Sequence, residues 1–393
     1  MTEAPAPPRR LLDGALHASG GAHAVWTWMR AHAPVHHQPP TEYPAFWSLT
    51  RYEDIRAVYR DTGTFSSERG VLLRPCRLGE DPGGGLTLAL TDPPRHRRIR
   101  ALMAGFFGVR AVRGLGGALQ TTARRLVAEA VERGSCDVAQ DIAGRLSLSA
   151  ICRIMGFPEA DHERLYRWTN EVFHAHTSLV AHPGLLEYFS ERLARSLKEP
   201  GDDLVSALVH GTVDGAPLTE QELILNWENL IGATENGRLA LIGGMLAFLE
   251  HPGEWERLRR DRGLMPGALE EVLRWTSSAT HSMRTATRPH TIRGRRIEAG
   301  ERVVLWLPSA NRDESVFRDP FRFDISRSPN RHLALAAGPH HCIGGPLARA
   351  GMSALFGELL DTVRAIEPGG PVVRLRSVAV GGPESLPVRM TAR

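Results

Sequence analysis

The residue best suited to chemistry is a cysteine near the C-terminal end. Cys342 lies in His332–Arg349, HLALAAGPHHCIGGPLAR, between Gly338 and the pair Gly344–Gly345. After it Leu347, Gly351, Leu355, Leu359 and Val363 recur every four residues, which predicts a helix with one buried stripe. A thiolate one turn before that helix faces unpaired backbone N–H groups and the positive end of a helix dipole, and both stabilise negative sulfur. The glycines let backbone approach a flat ligand closely. Those are the requirements of a thiolate ligand to haem iron. The competing reading is a buried free cysteine near a helix start.

Three further constellations could carry charge or protons. His96 and Arg100, four apart in TDPPRHRRIRALMAGFF, share one face of a helix that Asp92-Pro93 should start. Glu271 and Arg274, three apart in ALEEVLRW, share a face of another. A long helix is predicted over Leu218–Glu250, opened by a Thr219/Glu222 capping box and stopped by His251-Pro252-Gly253. At 1.5 Å per residue it spans roughly 45–50 Å, enough to cross a domain. Its middle reads Gly232-Ala233-Thr234-Glu235-Asn236-Gly237-Arg238. Glycine there costs helix stability, so either a ligand or a neighbouring helix comes close.

The cysteine stretch resembles the haem-ligand loop of the cytochrome P-450 superfamily, Phe-Gly-x-Gly-x-His-x-Cys-x-Gly. Gly338, His340, Cys342 and Gly344 match, as does the trailing Pro-Leu-Ala-Arg, while Leu335 and Ala336 replace the usual Phe and Gly. The resemblance covers nearly the whole chain and implies haem b held by Cys342. It implies that His96, Arg100, Arg284 and His340 bind the propionates and that Leu335 packs near the sulfur. Glu271 and Arg274 would be fold residues tying their helix to the loop before the cysteine. The centre of the long helix looks like the family's Ala-Gly-x-Asp/Glu-Thr-Thr motif. Ala233 lies in that motif, Glu235 takes the acid's place, Asn236 the threonine's, and Gly237 the next one. An amide donates two hydrogen bonds and accepts two, so it can orient a water, but it does not pass a proton as a hydroxyl does. The resemblance therefore leaves open both oxygen insertion and oxidation without insertion.

The elements that must position these residues are legible in outline. A helix near Gly21–Ala31, a strand at Ala45–Thr50 and a helix at Tyr52–Arg60 come first. Val71–Leu90 is a long loop with Pro75, Pro82 and Gly83–Gly85, the composition of a lid; by resemblance it covers the substrate, with Arg74, Cys76 and Arg77 facing ligand or solvent. Ala160–His176 and Leu185–Leu197, parted by His182-Pro183-Gly184, would form the roof. Trp168, Phe173 and Phe189 there are core residues first and substrate contacts second. His281, just before Arg284, is a candidate substrate contact or a surface imidazole. Strands are expected at Thr291–Arg293 and Val303–Leu307, and two more, Val372–Leu375 and Leu386–Met390, should close a small sheet.

With 393 residues and no linker, repeat or charge run, one domain over 1–393 is expected, mainly α with a minor β region. The start has no apolar signal or anchor and no run reaches spanning length, so a cytoplasmic protein without membrane contact is expected. Cys76, Cys136, Cys152 and Cys342 lack paired or zinc-type spacing, as in a reducing compartment. Lys198 is the sole lysine among 48 basic residues, a high-GC bacterial signature. A net charge of +4 is too mild to imply nucleic acid. Arg95, Arg97 and Arg98 form a basic patch that, by resemblance, receives an acidic ferredoxin fed by its reductase. The function implied is two-electron oxidation of a small organic molecule by a monomeric haem-thiolate monooxygenase, in bacterial specialised metabolism. Its substrate would be free or tethered to a carrier protein. A ring-closing or aryl-coupling oxidase is the alternative, and a non-catalytic haem sensor or carrier the third class.

Overall fold

The computed structural model describes residues 8–175 and 179–393. The first seven residues and the His176 end of the expected roof helix lie outside the described residues. The chain divides into two compact units, the first made of Met1–Gly84, Ile242–Cys342 and Val372–Leu386, the second of Gly85–Leu241, Ile343–Pro371 and Pro387–Arg393.

The first unit is built on a five-stranded sheet. Its spatial order is Val35–Gln38, Phe46–Leu49, Arg302–Trp306, His281–Ala286, Phe65–Ser66. Phe46–Leu49 and Arg302–Trp306 run parallel and the other neighbours antiparallel. The strand Arg302–Trp306 is apolar at every position after the first because both of its faces are covered. Val303 and Leu305 pack with Leu49, Ile55 and Tyr59, whereas Val304 and Trp306 pack with Val25, Trp26 and Met29. The Tyr52–Arg60 helix forms where expected, burying Tyr52, Ile55, Val58 and Tyr59 at helical spacing.

The second unit is helical. Gly345–Thr362, which follows the cysteine loop, packs on Gly116–Arg133. Its stripe of Leu347, Gly351, Leu355 and Leu359 is buried as the four-residue repeat requires. Gln120 donates to Glu358 across that pair at 2.7 Å. A small sheet of Val363–Pro368, Pro387–Ala392 and Ser135–Asp137 completes the unit.

Two expectations need correction. The terminal strands do not pair with each other. Val373–Arg374 turns back at Gly381 and Gly382 (φ +145°) to pair with Pro383–Ser385, while Pro387–Ala392 joins Val363–Pro368 and Ser135–Asp137. The central helix is two helices, Glu220–Gly232 and Thr234–Glu250, interrupted at Ala233. The capping box is present, but the backbone ladder is diverted at the break: Thr234 Oγ1 donates to the Ile231 carbonyl at 2.6 Å, and Ser147 Oγ donates to the Thr234 carbonyl at 2.8 Å. The Arg95–Phe107 helix starts three residues past Asp92, after two prolines. In the 71–90 loop only a short 3₁₀ turn at Cys76–Leu78 is regular. Among the described residues, no single helix is long and apolar enough to cross a membrane.

Candidate functional site

In the first unit the cysteine loop is shaped by its backbone. The Cys342 N–H donates to the Leu335 carbonyl at 2.9 Å, closing the loop on itself and leaving the thiol exposed. Ala336 (φ +58°) and Gly338 (φ +69°) supply the left-handed turns. At Gly338 a Cβ would lie 2.5 Å from the Tyr59 carbonyl oxygen, so glycine alone lets the loop rest on the end of the Tyr52–Arg60 helix. The Tyr59 ring, on the same residue, lies under the Arg284 guanidinium at 5.3 Å. Arg284 is buried and donates to Ser282 Oγ and the Met283 carbonyl. His340 is half-buried with Nε2 3.3 Å from Ser67 Oγ, and His341 faces outward. Tyr59, for which the sequence carries no signal, thus links the cysteine loop to Arg284.

The segment before the loop is anchored as expected by Glu271 and Arg274, both fully buried and paired at 2.8 Å. Arg274 donates to the carbonyls of Asn311, Pro320 and Arg322, and Glu271 accepts from the Asp324 N–H, Arg327 and Asn330. Asn311 Oδ1 in turn accepts the Leu333 N–H at 2.6 Å. The sequence motif therefore marks a scaffold, with every charge satisfied.

His281 is neither a substrate contact nor a surface imidazole. It is 1 % exposed; Nε2 accepts the Leu73 N–H at 2.9 Å and Nδ1–H donates to the Val378 carbonyl at 3.0 Å. Both ring nitrogens are spent on backbone, which fixes the tautomer, and burial pushes its pKa down to about 4. It pins the start of the lid loop to the sheet.

Of the other cysteines, Cys136 and Cys152 are buried, and burial pushes the Cys136 thiol up to about 12 and that of Cys152 higher still. Neither forms a thiolate at neutral pH. Cys76 is exposed on the 3₁₀ turn Cys76–Leu78 of the lid loop.

In the second unit, His96 is buried and Arg100 half-buried on one helix, and Gly344 caps the helix after the cysteine. The helix break presents Ala233, which is exposed, and Asn236, whose Oδ1 is buried without a hydrogen-bond partner. Glu235 is clasped by Arg238, Nε to Oε2 at 2.8 Å and Nη2 to Oε1 at 2.6 Å. Their i,i+3 spacing is a signal the sequence does show. Both face a small recess against Tyr166, Thr169 and Asn170.

The basic patch on the Arg95–Phe107 helix is largely neutralised. Arg95 pairs with Asp214 and Glu222, and Arg98 pairs with Asp214, which leaves Arg97 as the exposed remainder. The residues that neutralise it lie more than a hundred positions downstream, beyond the reach of local pattern.

The first unit carries one exposed thiol on a glycine loop together with His340 and Arg284, and the second carries His96 and Arg100; these are groups of the chemical kinds that a thiolate-ligated haem and its two carboxylates take. Comparison with known proteins agrees. The family model for Cytochrome P450 matches residues 256–373. The chain is 37% identical over 390 residues to "Cytochrome P450 NovI" of Streptomyces niveus, covering 97% of this chain and 96% of that protein. It is 36% identical over 384 residues to "Cyclomarin C epoxidase CymV" of Salinispora arenicola, covering 93% and 96%. The crystal structure of P450 OxyD, described as involved in the biosynthesis of vancomycin-type antibiotics, superposes with a TM-score of 0.90 at 33% identity over 98% of this chain and 99% of that one. The chain belongs to the cytochrome P450 family. It has the P450 fold, is a P450-type oxidoreductase, and uses the family's cofactor, haem b.

Proposed function

We propose that this protein oxidises a small specialised-metabolite intermediate by two electrons, with dioxygen as oxidant and electrons from a ferredoxin and its reductase. The observation that carries the reading is the Cys342 thiol, exposed at the tip of a loop whose own N–H is spent on Leu335. The haem supplies the oxidising chemistry when bound; the protein decides which bond meets it. Cys342 would be the axial ligand, with Leu335 and Gly344 flanking it. His96, Arg100, Arg284 and His340 would neutralise the propionates. Ala233, with only a methyl, would admit a flat ring close to the helix break. Asn236 would orient a water through its carboxamide, and Glu235, held by Arg238, would set the charge and proton supply beside it.

The named relatives support the metabolic setting, and CymV, named an epoxidase, favours oxygen insertion. Asn236 in the threonine position keeps the coupling oxidase as the second reading, because an amide orients water without passing a proton as a hydroxyl does. A carrier-bound substrate is supported by the likeness to P450BioI, crystallised with an acyl-ligated acyl carrier protein. None of the four cysteines is in a disulfide, which supports a reducing, cytoplasmic setting.

The test is a titration of the ferric Soret band with aromatic peptides, polyketides, terpenoids and alkaloids, followed by product mass. A spin shift by one class names the substrate class, and a product heavier by one oxygen supports insertion. A product lighter by two hydrogens favours coupling. A purified protein that binds no haem overturns the reading.

A further inference from the structure

The break in the central helix is contacted from outside the helix. Ser147, on the helix Gly144–Met155, donates its hydroxyl hydrogen to the Thr234 carbonyl at 2.8 Å across 87 positions of sequence. Gly237 makes this contact sterically feasible: a Cβ there would sit 2.6 Å from Ser147 Oγ. The glycine that replaces the second threonine of the family motif therefore leaves the space that the serine hydroxyl fills. Ser147 is itself held in place. A π-helical turn at Val138–Ala143 precedes its helix, and Tyr166 Oη donates to the Gln140 carbonyl in that turn at 2.9 Å. Gly144 admits the Tyr166 ring, which would lie 2.7 Å from any Cβ at that position. Downstream of the break the Asn236 N–H reaches back only three residues, to the Ala233 carbonyl at 3.2 Å, in a tight turn. Asn236 Oδ1 is buried without a partner, so its aim is fixed by this turn and not by a bond of its own.

We propose that Ser147 is a positioning residue for Asn236: its hydroxyl holds the Thr234 carbonyl and thereby the helix break that aims the Asn236 carboxamide. This rests on the reading of Asn236 as the amide that orients water. A merely structural Ser147 would glue two helices together, and its loss would lower stability without altering how dioxygen is spent.

The experiment uses holoenzyme with a ferredoxin, its reductase and no substrate, and reads two quantities: the ratio of peroxide to water formed from dioxygen, and deuterium uptake by the backbone of residues 229–240. Ser147→Ala should raise the peroxide-to-water ratio about fivefold, the effect of one lost neutral hydrogen bond, and should speed uptake. Ser147→Thr, which keeps the hydroxyl, should restore both. Gly237→Ala should reproduce Ser147→Ala by displacing the hydroxyl, and the double variant should be no worse than either single one. Additive effects in the double variant overturn the proposal, as does an unchanged ratio in Ser147→Ala. Asn236→Ala separates the two levels. If it raises the ratio and Ser147→Ala does not, the proposal alone fails; if it leaves the ratio unchanged, the reading of Asn236 fails and takes the proposal with it.

Discussion

The cysteine loop and the helix break are built on opposite principles. In the loop, shape comes from the backbone: two left-handed residues, one N–H to carbonyl closure, and a glycine pressed against the Tyr59 carbonyl. In the break, shape comes from side chains that capture carbonyls, Thr234 from within and Ser147 from another helix. Backbone geometry of the first kind demands particular residues at particular spacings, so it leaves a motif in the sequence. Side-chain capture of the second kind can be met from many places, so it leaves almost none. A change in the loop should therefore cost more haem binding and stability than a change in the break.

The largest expected effect is chemical. Cys342→Ser replaces a thiol that ionises with a hydroxyl that does not, so the haem-thiolate absorption and all turnover should vanish. The readout is the absorption spectrum of the reduced protein with carbon monoxide. A thiolate-type spectrum in this variant would move the ligand to Cys76, the other exposed cysteine. Next comes the scaffold beneath the loop. Arg274→Met leaves Glu271 buried with its main partner gone and three carbonyls without their donor. It should lower unfolding free energy by about 3–5 kcal/mol, measured by denaturant titration. Arg327 also reaches Glu271, and a loss under 1 kcal/mol would show that it suffices.

The anchor of the 71–90 lid loop gives a pH dependence. In the fold His281 is neutral with a pKa near 4, against about 6.5 in the unfolded chain. Between those values the unfolded chain binds the extra proton, so stability is full above about pH 6.5 and falls as pH drops toward 4, by up to about 1.4 kcal/mol per pH unit. A Gln at this position has both an acceptor for Leu73 N–H and a donor for the Val378 carbonyl but does not titrate. His281→Gln should flatten the melting temperature across pH 4–6.5 relative to the parent. Equal slopes in the two proteins would show that His281 charges freely. Gly338→Ala should have a smaller effect, destabilising by about 1–3 kcal/mol through its positive φ and the Tyr59 contact, with faster haem loss as the specific sign.

What was legible follows the same division. The Tyr52–Arg60 helix, the buried stripe after Cys342, the Thr219/Glu222 capping box and the strand expected at Val303–Leu307 are local patterns, and all formed, the strand as Arg302–Trp306. The Glu271/Arg274 scaffold was readable through its motif. The interruption at Ala233 was not, because thirty helical residues with one capping box look continuous until Ser147 arrives from another helix. Arg95 and Arg98 read as a free basic patch because their partners, Asp214 and Glu222, are distant in sequence. His281 reads as a substrate contact or a surface imidazole because only the fold shows two backbone groups waiting for its ring nitrogens.

The smallest effect is the one that tests the comparison most sharply. Thr234→Val deletes the hydroxyl that takes the Ile231 carbonyl and keeps the side chain's shape. A carbonyl has two lone pairs, and in a regular helix this one would serve a backbone N–H four residues on. The loss of the threonine bond should therefore be recovered in part by the backbone, and stability should change by less than about 1 kcal/mol in either direction. The Ser147 bond to the Thr234 carbonyl involves no side-chain atom of Thr234, so the break itself should persist in this variant. Thermal denaturation and deuterium uptake over 229–240 give both readouts. A large loss of stability would mean that the Thr234 hydroxyl, more than Ser147, holds the break, and that side-chain capture costs as much to remove as the backbone closure of the cysteine loop.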